Sequence, residues 1–140
     1  MRKKISILFT ASLLAMLLLG MYTMSPAPGV ELKVVKVDGV WRVVDASDYT
    51  KFKVKVKKNA KIQWTVEGSD AYFQFPDFLF DADSPADSLT NGYTKFVKDG
   101  KKLKLKVKSD VLAGTYEYAV FCTANGAFAI GGSPPKIIIE

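Results

Sequence analysis

Gly114-Thr115-Tyr116-Glu117-Tyr118-Ala119-Val120-Phe121-Cys122 decides the fold of this chain. Tyr116, Tyr118, Val120 and Cys122 recur at every second position, and the residues between them face the other way. A strand sends alternate side chains to opposite faces, so a period of two is the mark of a half-buried strand. The same period governs the segment before it. In Lys102 to Lys108, Leu103, Leu105 and Val107 face in and Lys102, Lys104, Lys106 and Lys108 face out. In Lys51 to Lys57, Phe52, Val54 and Val56 alternate with Lys51, Lys53, Lys55 and Lys57. Ile62, Trp64 and Val66 alternate with Gln63, Thr65 and Glu67.

Turn signals separate these runs. Asp38-Gly39 between Val30–Val37 and Val40–Val44 supplies the positive φ angles of a tight hairpin turn. Asp99-Gly100 between Tyr93–Val97 and Lys102–Val107 predicts a second hairpin. Ala71 to Phe75 is a short aromatic strand closed by Pro76, and Ile137 to Ile139 is a last one. From Asp77 to Gly92 loop formers dominate, with a short helical turn expected around Ser84 to Leu89. The pattern predicts an all-β, antiparallel Greek-key sandwich of about eight strands, with no long helix after the N-terminal segment.

That segment opens with Arg2, Lys3 and Lys4 and continues as an apolar run of about 17 residues from Ile5 to Met21. A positive start and a short apolar core make a secretory signal. Residues 1–27 are read as a signal peptide or N-terminal anchor, helical as it enters the bilayer, and residues 28–140 as one domain. The expected location is the periplasm or outside the cell, with an uncleaved inner-membrane anchor as the alternative. Without the leader, seventeen basic residues stand against fourteen acidic ones, a net of +3. That balance is too small to imply nucleic acid.

The chain has no histidine, and all four methionines lie in or just after the leader. The usual general base and the usual metal ligand are therefore missing together. Ser84 and Ser88 have no imidazole to activate them, and no cofactor and no enzymatic activity are expected. The single cysteine, Cys122, excludes an internal disulfide.

Three segments resemble the cupredoxin family of the plastocyanin and azurin type. Lys57-Lys58-Asn59-Ala60-Lys61-Ile62-Gln63-Trp64 is similar to the turn and strand before the first copper ligand. Gly114 to Cys122 resembles the family's Gly-x-Tyr-x-Tyr strand leading to the ligand cysteine, and the close of the chain resembles its last loop and strand. The resemblance implies a cupredoxin-like sandwich over residues 50–140. A type 1 site takes two imidazoles, a thiolate and usually a weak axial thioether. Where the family has its first histidine this chain reads Ser69-Asp70-Ala71-Tyr72-Phe73, and Thr123 to Ile130 offers neither histidine nor methionine. Only Cys122 falls on a ligand position. The resemblance thus implies the scaffold and speaks against electron transfer.

Four features are candidates for function. Cys122 is a thiol site, for a partner chain or for Cu(I) shared with one, or a buried apolar side chain. Tyr72, Phe73, Phe75, Phe78 and Phe80 are an interaction surface near the end where copper proteins hold their metal, or core. Lys51, Lys53, Lys55, Lys57, Lys102, Lys104, Lys106 and Lys108 form one basic face if their strands are neighbours, or they keep exposed strands soluble. Such a face would meet an anionic membrane, each lysine near the surface contributing on the order of 1 kcal/mol. Asp77, Asp81, Asp83 and Asp87 are candidates for calcium or for a solvated loop. The expectation is an exported, non-catalytic binding module with a protein partner in the envelope. The alternatives are a tethered protein resting its lysines on lipid and a copper-handling accessory using Cys122.

Overall fold

The computed structural model describes residues 29–76 and 78–140. The leader 1–27 and Asp77 lie outside the described residues. Twelve strands follow in order: β1 Val30–Val37, β2 Val40–Asp45, β3 Val54–Val56, β4 Lys61–Val66, β5 Ala71–Gln74, β6 Phe80–Ala82, β7 Thr94–Val97, β8 Lys102–Val107, β9 Gly114–Glu117, β10 Ala119–Cys122, β11 Ala127–Phe128 and β12 Lys136–Ile139. The one helical turn among the described residues is the 3-10 turn Pro85–Asp87, inside the segment where a turn was expected. No helix among them is long and apolar enough to cross a membrane.

The strands form an all-β Greek-key sandwich. One sheet has the order β2-β1-β4-β8-β6, a second β11-β10-β5-β7 and a third β3-β12-β9. The inner faces meet in one core. Ile62, Trp64 and Val66 of β4 and Leu103, Leu105 and Val107 of β8 are wholly buried, as the alternation requires. Phe73, Val120 and Cys122 enter from the second sheet, and Ile137 and Ile139 from the third. Each such apolar side chain contributes on the order of 1.5–3 kcal/mol.

Trp64 is the centre. Its ring lies 5.9 Å from Phe73, 5.2 Å from Phe75, 6.0 Å from Phe80 and 5.9 Å from Tyr118. Its Nε1–H donates to the Tyr118 hydroxyl at 3.1 Å, so this buried donor has a partner. Tyr118 stands at a break. The run from Gly114 to Cys122 is two strands rather than one: β9 pairs with β12 in the third sheet and β10 with β5 in the second.

The first hairpin forms as read, with Asp38 and Gly39 at φ 51° and 79° and Val37 opposite Val40. The second does not. β7 pairs with β5, and β8 pairs with β4 and β6, so the segment 98–101 crosses between layers. Gly100 N–H instead donates to the Val66 carbonyl at 2.7 Å, folding the turn against the end of β4. Alternation shows that a run is a strand but not which strand it joins. Two pairings are parallel, β1 with β4 and β3 with β12. Each joins strands separated by a crossover through another sheet, the connection parallel pairing needs.

Candidate functional site

Cys122 ends β10, opposite Ala71 and Ala127. It is fully buried, and burial pushes its thiol up to about 11, so at neutral pH it is protonated and shielded from solvent. The loop before β5 and the loop after β10 meet beside it. Ser69, buried, accepts a hydrogen bond from the Ala124 N–H at 3.0 Å and donates to the Asp70 carbonyl at 2.7 Å. That carbonyl also accepts from the Thr123 N–H at 3.0 Å. Asp70 Oδ1 accepts the Asp99 N–H at 2.8 Å, and Asp99 Oδ1 accepts the Gly68 N–H at 2.7 Å. Gly68 has φ +92°, and an added Cβ would stand 3.3 Å from the Trp41 ring. The segments that the resemblance assigns to copper ligands thus do converge, and Ser69, Asp70 and Thr123 join them by hydrogen bonds.

Among the described residues no group of three or more His, Cys, Asp or Glu side chains is placed to hold a metal. Asp81 faces Lys108 at 3.9 Å and Asp83 faces Lys61 at 2.8 Å. Asp87, nearly buried, accepts the Ser84 hydroxyl at 2.7 Å and the Lys104 N–H at 3.0 Å. These carboxylates each have separate work, and they do not gather.

The lysine rows are not one face. Lys55 lies on β3 in the three-stranded sheet, with Lys51, Lys53 and Lys57 in the chain on either side of it, while Lys102, Lys104 and Lys106 lie on β8 in the five-stranded one, with Lys108 just after it. The turn at Lys58-Asn59 carries the chain from one sheet to the other. The β8 row is also interleaved with acid, since Asp81 lies opposite Lys106.

The aromatic run divides. Phe73, Phe75 and Phe80 are core, while Tyr72 is 53% and Phe78 77% exposed. β5 leads away from the thiol, Ala71 lying opposite Cys122 and Gln74 opposite Ala119, so only the start of the run is near Cys122. Tyr72 belongs to a feature not expected from the sequence. On the outer face of the second sheet Phe128 of β11 lies opposite Phe121 of β10, Phe121 opposite Tyr72 of β5, and Tyr72 opposite Phe96 of β7. The four rings form one row across four strands. Phe121 and Phe128 have ring centroids 5.1 Å apart, and Tyr72 and Phe96 4.7 Å. Phe128 is 64% and Phe96 40% exposed, with Phe121 half-buried. The signal was present in part: Phe121 alternates with the buried Val120 and Cys122, and so points outward. The pairing that assembles the row was not legible.

Solved structures of amicyanin, a cupredoxin, are among those that the chain matches. A Cu(I) form of an amicyanin mutant matches with TM-score 0.42 and 14% identity over 80% of this chain and 82% of that one. Another Cu(I) mutant form matches with TM-score 0.43 and 14% identity over 84% and 88%. An oxidised mutant matches with TM-score 0.42 and 15% identity over 83% and 92%. No family model matches the sequence, and no curated protein does.

Proposed function

We propose that this chain is a non-catalytic binding module exported to the cell envelope, and that it binds through the aromatic row on the outer face of the second sheet. The observation that carries the reading is the exposure of Tyr72, Phe96 and Phe128 in register on neighbouring strands. Rings left in water where polar residues would serve solubility mark a contact surface. The basic leader with its apolar run supports export. The absence of histidine and of an activated serine supports a role without catalysis. Neither rival surface has comparable support: the Cys122 thiol is enclosed, and the lysine rows are divided between sheets.

The test is fractionation. The native protein, washed with its envelope at moderate salt, should stay with the insoluble fraction, and a Tyr72→Ala, Phe128→Ala double variant should pass into the soluble one. Equal retention of both would discard the row as the contact surface.

A further inference from the structure

We propose that a groove on the outer face of the third sheet binds a single-chain carboxylate, the anion of a fatty acid, with its hydrocarbon chain on Ile138 and its head among Lys53, Lys55 and Lys136. The site is separate from the aromatic row and goes beyond the binding-module reading.

The groove arises where a strand starts late. Alternation would send Phe52 inward with Val54 and Val56, but β3 begins only at Val54, and Phe52 stands 37% exposed in the wall of the groove. Ile138 of β12, half-buried, faces outward between Lys55 of β3 and Thr115 of β9. The Gly131-Gly132 loop lines another side, and a Cβ on Gly132 would meet no atom within 4 Å. The space is about 290 Å³. That is the lower end for small-molecule sites, which run from about 300 to 1,000 Å³.

The floor and the rim each select one half of the ligand. β12 is the central strand of its sheet, paired with β3 on one side and β9 on the other, so its backbone N–H and C=O groups are used within the sheet. The floor offers apolar contact, and a polar group pressed onto it would lose water without gaining a partner. The lining is mainly apolar, whereas the clefts at Gly29 and at Phe78 have mixed walls. The methylene stems of the lysines add to the apolar wall. A hydrocarbon chain meets these terms.

The rim is cationic. Lys53, Lys55 and Lys136 bring three ammonium groups to the groove. The acids that face them are Glu117, 3.5 Å from Lys136, and Glu140, 3.9 Å from Lys55. Lys53 forms no ion pair among the described residues. Both pairs are longer than a charge-assisted hydrogen bond, about 2.7–2.9 Å, and both are open to solvent, so they hold their lysines weakly. Three cations against two carboxylates leave one charge for a monoanion. The apolar floor is recessed beneath this rim, which suits one inserted chain; a bilayer surface would need apolar side chains that protrude.

The experiment is calorimetric titration of the mature domain with hexanoate, octanoate and decanoate, each below its micelle concentration. One-site binding is expected, tightening about tenfold or more from hexanoate to decanoate. Lys53→Glu should weaken decanoate binding about tenfold. Ile138→Thr should weaken it as well, with circular dichroism showing the fold intact, and decyltrimethylammonium should not bind. The Tyr72→Ala, Phe128→Ala variant should bind decanoate as before. No saturable decanoate binding, equal binding of the cationic chain, or binding that survives both Lys53→Glu and Ile138→Thr overturns the proposal. So does binding lost in the Tyr72→Ala, Phe128→Ala variant, which would move the chain to the aromatic row. If decanoate fails but the domain pellets with phosphatidylglycerol vesicles, the lysines meet a lipid surface and the groove has no such ligand. Envelope retention, which judges the row, is read independently of every one of these results.

Discussion

Replacing Tyr118 by Phe removes a single oxygen from the centre of the molecule, and its cost can be worked from the structure. The Trp64 Nε1–H donates to that oxygen at 3.1 Å, and both side chains are buried. Without it the buried indole N–H loses its acceptor. An unsatisfied buried donor costs about 1–3 kcal/mol, more than the hydrogen bond gains. The aromatic contacts of Tyr118 with Trp64 and Phe75, at 5.9 and 5.3 Å, survive in phenylalanine, so the loss isolates the polar term. For a domain of this size the expected fall in Tm is about 4–15 °C. Urea unfolding of the mature domain followed by circular dichroism should show a lower midpoint with unchanged slope. The control is Trp64→Phe, which removes the donor. In that background Tyr118→Phe should cost at least about 1 kcal/mol less, because nothing is left unpaired. Equal cost in both backgrounds would refute the reasoning and make the effect one of packing.

Further predictions concern the thiol, the loop beside it and the acidic turn. Cys122 should not react with a thiol reagent near neutral pH in the folded protein and should react fully in urea; fast reaction when folded would contradict its burial. Its folded value is raised to about 11, so the unfolded thiol ionises first. Stability is then whole below about pH 9 and falls as pH rises toward 11, and Cys122→Ala should flatten that decline in urea midpoints. Burial raises Tyr118 likewise, so some of the alkaline decline remains in that variant. Gly68→Ala should cost about 1 kcal/mol or more, since it strains a φ of +92° and presses on Trp41. Asp87→Ala should cost about 1–3 kcal/mol by leaving the Lys104 N–H without its acceptor, measured as a urea midpoint shift.

Much of the fold was legible because alternation is a local signal. Ile62, Trp64, Val66, Leu103, Leu105 and Val107 are all buried as their spacing requires. Pairing is not local, and there the sequence misled. Asp99-Gly100 has the chemistry of a hairpin turn, yet the strands on either side belong to different sheets. The single run to Cys122 hid a change of sheet at Tyr118 because both halves keep the same period. Phe52 was expected to face inward with Val54 and Val56 but is 37% exposed, since β3 begins only at Val54. The candidate site suffered most. Of the five aromatic residues singled out in sequence, only Tyr72 lies in the row, and its partners Phe96, Phe121 and Phe128 lie far from it along the chain. A surface assembled across strands becomes visible only once strand order is known.

The most direct measurement is hydroxyl-radical footprinting of the protein in its native envelope against the purified domain, read residue by residue by mass spectrometry. Tyr72, Phe96 and Phe128 should be shielded in the envelope, while Phe78 and the β8 lysines label equally in both. Full labelling of the three rings in place, or shielding confined to Phe78 or the lysine strands, would contradict the assignment of the aromatic row as the binding surface.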